Sequence, residues 1–123
     1  MIMLTCKDLK QFDFENPPDF ALKRTQESQK KYDEYMKDKR NTSGFLESMR
    51  EKMEGKKFCL LKNDFPYDIE KGIVHLVCWY TDENPYTIIG KMKSEYNIVT
   101  CWRNKPGNCS VPEIKHIHFF IIQ

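Results

Sequence analysis

The stretch Ile73-Val74-His75-Leu76-Val77-Cys78-Trp79-Tyr80 is uncharged and carries bulky side chains at odd and even positions alike. Alternate residues of an extended chain point to opposite faces, so a strand of this composition has no face to give to water. It predicts a central strand with cover on both sides. The run is far below membrane-spanning length, so the cover has to be protein.

The flanking sequence says what that cover is. Before residue 58 the texture is helical. Thr5-Cys6-Lys7-Asp8 has capping-box spacing, with Asp as the weaker acidic partner, and opens a short helix to about Gln11. Pro17-Pro18 breaks the chain. A longer helix is predicted from Thr25 to Asp38, with Tyr32, Tyr35 and Met36 as an apolar stripe on a charged rod. Asn41-Thr42-Ser43-Gly44 reads as a turn and cap. A third helix then carries Phe45, Leu46, Met49 and Met53 at helical spacing, with Gly55 near its end.

After residue 58 the period changes. Phe58-Cys59-Leu60-Leu61 reads as a short strand before Ile73–Tyr80. Asn84-Pro85 reads as N-cap and first residue of a helix reaching Glu95, with Tyr86, Ile89, Met92 and Tyr96 on its apolar face. Asn97–Trp102 returns as a strand, Asn104-Lys105-Pro106-Gly107-Asn108 as a turn, and His116–Ile122 as the last strand. The expected fold is α+β: N-terminal helices packed on a small, mainly antiparallel four-stranded sheet of order β-β-α-β-β. A chain of 123 residues suits one domain, 1–123, with a helical lead-in (1–57) and a sheet-bearing part (58–123).

Charge narrows the choice of partners. Residues 1–57 hold 13 Lys and Arg against 11 Asp and Glu, and residues 58–123 hold 7 against 7. Nucleic-acid binding needs a concentrated basic face, and the linear sequence shows none. Met1-Ile2-Met3-Leu4 is too short for a signal-peptide core, so the expected location is cytoplasmic, with no membrane partner. Cys6, Cys59, Cys78, Cys101 and Cys109 lack paired spacing and read as small apolar residues of a reducing compartment.

All three histidines fall in the two most strand-like segments. His116 and His118 share a face of the last strand, roughly 7 Å apart at Cα, and His75 sits in the central strand. Imidazoles titrate near neutral pH, bind metals and pass protons. The spacing suits a phosphate clamp, an acid and base pair, or a metal site of His75, His116 and His118. The competing explanation is buried histidines that hydrogen-bond a backbone carbonyl or a carboxylate. Asn63-Asp64-Phe65-Pro66-Tyr67, just upstream of His75, offers Asp64 to orient a histidine or take a proton, and Asn63 and Tyr67 to contact a ligand. Trp102 adds a flat ring, and Arg103 a guanidinium suited to phosphate or carboxylate.

Leu61-Lys62-Asn63-Asp64-Phe65-Pro66-Tyr67 followed by Gly72-Ile73-Val74-His75-Leu76-Val77-Cys78-Trp79 resembles the N-acetylglucosamine-induced protein 1 family. That family shows Asn-Asp-Trp-Pro-Tyr, then Val-His-Leu-Val-Val-Trp, an aromatic-Lys-Asn element, and a last strand of Glu-His-Phe-His-Val. Trp102-Arg103-Asn104 and Lys115-His116-Ile117-His118 fall in matching order, while Leu22-Lys23-Arg24, Tyr32 and Ser43-Gly44-Phe45 echo its helical lead-in. Three departures stand out: Phe65 for Trp, Lys115 for Glu, and a shorter segment between Trp79 and Trp102. The shared domain has no assigned function. The resemblance implies a cytoplasmic protein linked to sugar-nucleotide metabolism and brings no reaction with it.

Three functions therefore stand open, and the cofactor is unknown. The first is a ligand-handling domain for a phosphorylated or nucleotide-linked small molecule, with His75, His116, His118 and Asp64 as its chemical groups and Asn63, Tyr67, Trp102 and Arg103 as its contacts. The second is a three-histidine metal site. The third is a protein-interaction module whose histidines serve the core.

Overall fold

Strand β2 (Ile73–Tyr80) lies inside a four-stranded antiparallel sheet, where its two-faced apolar sequence belongs. The computed structural model describes residues 3–20, 23–63, 67–105 and 113–122. In chain order the elements are α1 (Cys6–Leu9), α2 (Gln26–Lys37), α3 (Lys39–Met53), β1 (Phe58–Lys62), β2, α4 (Pro85–Glu95), β3 (Asn97–Trp102) and β4 (Lys115–Ile122). The fold is α+β, and the sheet order is β1-β2-β4-β3.

Each face of the sheet has its own cover. Leu76, Cys78, Tyr80, Ile117, Phe119 and Ile121 point to one side and bury Ile88, Ile89 and Met92 of α4. On the other side Val77 and Trp79 pack on Met49 and Met53 of α3, and Trp102 and Phe120 pack on Leu9 of α1. The histidines lie on this second face. Val77 and Trp102 flank His118 from either side in register, Trp79 opposes His116, and Phe120 opposes His75.

The helix ends follow their local chemistry. The Thr5–Asp8 capping box forms in both directions, Thr25 caps α2 by accepting from the Ser28 N–H, and Asn84 caps α4 ahead of Pro85. Gly55, at φ 73°, turns the chain out of α3 in the left-handed region that glycine tolerates.

Two expectations are corrected. Asn41-Thr42-Ser43-Gly44 is not a turn: α3 starts at Lys39, and the break after α2 falls at Asp38, whose backbone is extended (φ −90°, ψ 110°). Turn-forming composition is a weak preference, and the burial of Met49 and Met53 against β2 overrides it. The apolar face of α4 is Ile88, Ile89 and Met92, while Tyr86 is 57% exposed and Tyr96 37%. Tyr86 instead donates its hydroxyl to Glu15 and sets its ring edge-on to Phe14. Among the described residues no helix is long and apolar enough to cross a membrane.

Candidate functional site

Strand pairing carries the histidines together. Asn63 continues the β1–β2 ladder by one step, its N–H donating to the His75 carbonyl at 3.3 Å, so its side chain sits opposite His75. The Asn63 amide Nδ2 lies 3.1 Å from His75 Nδ1, and His75 Nε2 lies 2.8 Å from His118 Nδ1. His118 Nε2 in turn lies 3.3 Å from Asn104 Nδ2, and the Trp102 indole N–H donates to Asn104 Oδ1 at 3.2 Å. The result is an unbroken polar chain across three strands inside an apolar layer. His116 stands beside it, edge-on to His118 with ring centres 5.3 Å apart, and its Nδ1 lies 2.9 Å from the Ile114 carbonyl oxygen.

Aromatic rings enclose the pair. His75 stacks on Phe120 (4.7 Å, 7°) and on Tyr67 (4.9 Å, 22°), and Trp79 lies 4.4 Å from His116. Tyr67 is held by backbone pairing. The segment after it bonds to two N-terminal stretches, with the Asp68 N–H donating to the Lys23 carbonyl and the Leu4 N–H donating to the Asp68 carbonyl. That pairing brings in Arg24, whose guanidinium carbon lies 3.9 Å from the centre of the Tyr32 ring and 4.9 Å from that of Tyr67. A guanidinium over an aromatic face is attracted by the ring's negative quadrupole.

Burial decides the charge state. His75, His116 and His118 keep 5%, 7% and 5% of their surface. Removing an imidazolium from water is costly, so burial drives His75 down to about 3, helped by the nearby charges of Arg24 and His116. Burial also holds His118 well below the usual histidine range, with His75, His116 and Arg24 adding to it. For His116 burial lowers the value and the bond to Ile114 opposes it. At neutral pH the cluster is uncharged.

The expected site residues separate into groups. His75, His118, Asn63 and Tyr67 meet directly, with His116 alongside. Trp102 joins them through its N–H, but its ring is fully buried against Phe12 and Phe120. Arg103 turns elsewhere, donating to the Tyr80 hydroxyl and lying over Phe14 near the opposite face of the sheet. Asp64 lies outside the described residues. Among the described residues no three His, Cys, Asp or Glu side chains gather as ligands for an ion.

Two members escaped the sequence reading. Asn104 had a signal, its position two residues after Trp102, which aims both side chains to one side of an extended chain. Arg24 had only its place in the Leu22-Lys23-Arg24 lead-in, because it arrives through the pairing of residue 24 with Tyr67 across more than forty intervening positions.

Residues 15–86 match the family described as protein of unknown function (DUF3605). The fold is similar to the crystal structure of HTC1, with a TM-score of 0.53 and 19% identity over 83% of this chain and 76% of that one. At that identity the likeness speaks to fold alone. No curated protein matches the chain.

Proposed function

The chain belongs to the DUF3605 family, whose function is unknown, and we propose that it handles a small anionic ligand, a phosphorylated or nucleotide-linked sugar, at the histidine cluster beside Arg24. In this reading it is a single cytoplasmic domain. The observation that carries it is the column Arg24–Tyr67–His75, which links the buried histidines to a groove of about 690 Å³. Lys23, Arg24, Lys30 and Lys37 line that groove against Asp33 and Glu34. A groove with four cations, two carboxylates and the amides of Gln26 and Gln29 suits a ligand with an anionic end and a hydroxyl-rich end. Phosphate would sit with Arg24 and the lysines, at the outer end of the Arg24–Tyr67–His75 column. The resemblance to the N-acetylglucosamine-induced family agrees in ligand class.

A second reading is favoured by one specific observation. Every ring nitrogen of the His75–His118 pair is engaged within the protein, as a purely structural network in an interaction module would require.

Thermal melting against nucleotide sugars, sugar phosphates and nucleotides separates the two. A ligand at a hundredfold excess over its dissociation constant adds about 2.7 kcal/mol. The ligand reading expects a raised melting temperature that Arg24→Gln removes. A flat response across the series, with no metal in the purified protein, turns the choice to the interaction module.

A further inference from the structure

We infer that Trp102 and Asn104 fix the proton positions of the buried histidine pair, and that Nε2 of His116 is therefore the imidazole lone pair this cluster offers to a ligand. The role given to His116 rests on the ligand site proposed above, whereas the proton positions belong to the free protein.

An indole N–H can only donate, so the atom of Asn104 that faces Trp102 is its carbonyl oxygen. The amide nitrogen of Asn104 then faces His118 Nε2. A donor at that position needs a lone pair, and a neutral imidazole has a single N–H, so the His118 proton sits on Nδ1. That N–H donates to His75 Nε2 at 2.8 Å. By the same step the His75 proton sits on Nδ1, facing the Asn63 amide. Two donors cannot bond each other. The two ends of an amide match in size and shape, so the bonds balance when the Asn63 amide, which the structure sets with Nδ2 towards His75, is turned to present Oδ1. All bonds then run one way, from Trp102 through Asn104, His118 and His75 to Asn63, and the pair has no lone pair left over.

His116 differs. A carbonyl oxygen only accepts, so the proton on His116 lies on Nδ1, donated to Ile114. Its Nε2 meets no protein group among the described residues, yet no buried side-chain nitrogen or oxygen there lacks a partner. Nε2 therefore keeps some accessible surface, in a side chain that is 7% exposed. Trp102 and Asn104 are positioning residues, and His116 is the acceptor for a hydroxyl or a protonated phosphate oxygen.

The test uses the full chain labelled with nitrogen-15, without ligand. Long-range proton–nitrogen correlation spectra near pH 7.5 should show the proton on Nδ1 in all three histidines. In Asn104→Asp a carboxylate can only accept, so His118 and His75 should both switch to protonated Nε2 while His116 stays unchanged. Diethylpyrocarbonate should modify His116 and spare the pair. A proton on Nε2 of His75 or His118 in the unaltered protein would overturn the inference. So would a switch of one without the other, or an adduct on the pair with His116 spared. If Asn104→Asp does not fold, the unaltered protein's spectrum and adduct map decide alone. A flat ligand screen would sink the ligand reading and leave the proton positions as measured.

Discussion

His118 and His75 meet on a diagonal across two adjacent strands, with Nδ1 of one 2.8 Å from Nε2 of the other. The residue directly opposite His118 is Val77, and Phe120 opposes His75. Diagonal neighbours in an antiparallel sheet lie within reach of long or aromatic side chains. Here the offset lets one imidazole serve both its strand neighbour and the Asn104 amide beyond β3.

That arrangement makes His118 the hinge of the network. His118→Ala would leave His75 Nε2 and Asn104 Nδ2 without partners, each a cost of about 1–3 kcal/mol, and would open a cavity besides. The expected loss is about 3–5 kcal/mol in urea unfolding. A double-mutant cycle with His75→Ala should show coupling of about 1 kcal/mol or more. Strict additivity would mean that the two rings do not depend on each other.

The charge state predicts how stability responds to acid. All three histidines have folded values below the unfolded one of about 6.5, and that of His75 lies at about 3. Between those limits the unfolded chain binds more protons than the folded one, so stability rises with pH across this window. It is fully present above about pH 6.5 and declines as pH falls, for His75 down towards 3, by up to about 1.4 kcal/mol per pH unit for each histidine still neutral in the fold. Urea midpoints measured from pH 7.5 to 4.5 should fall, and fall less in His75→Phe. A flat profile down to pH 5 would place the histidines in water.

Gly44 discriminates between helix and turn. It lies inside α3 without positive φ, and a Cβ added there would meet nothing within 4 Å. Gly44→Ala should stabilise by about 0.5–1 kcal/mol through helix propensity and a less free unfolded chain. Gly55→Ala, at φ 73°, should cost about 1 kcal/mol or more. A loss of stability in Gly44→Ala, read from melting temperature, would restore the turn.

Much of the fold was legible because its cues are local. Asn84-Pro85, Thr25 and the Thr5–Asp8 box each name a helix start by side-chain chemistry, and β2 declares its place by having no polar face. The α3 start was not legible, because Asn41-Thr42-Ser43-Gly44 has turn composition while the contacts that settle it come from β2. The face of α4 was misread for a related reason: Tyr86 is apolar enough to count towards a stripe, yet its hydroxyl finds Glu15. At the site, alternation placed His116 and His118 on one face, and Asn63 followed from its nearness to β2. Which side Arg103 takes, and that Arg24 comes to Tyr67, depend on long-range pairing that no local pattern encodes.

Cysteine chemistry gives a check on the other face of the sheet. Burial pushes the Cys78 thiol up to about 12 and the Cys101 thiol up to about 11, and both side chains lie within or against the layer under α4. The thiolate is the reactive form, so at pH 8 both should resist alkylation twice over, by ionisation and by access. Cys6 and Cys59 are partly exposed and should react first. Iodoacetamide labelling followed by peptide mass spectrometry should find Cys78 and Cys101 modified only as fast as the sheet opens. Their rates should then rise with urea in step with global unfolding. Rapid labelling of Cys78 in native buffer would mean that α4 does not cover β2 and β4 as described.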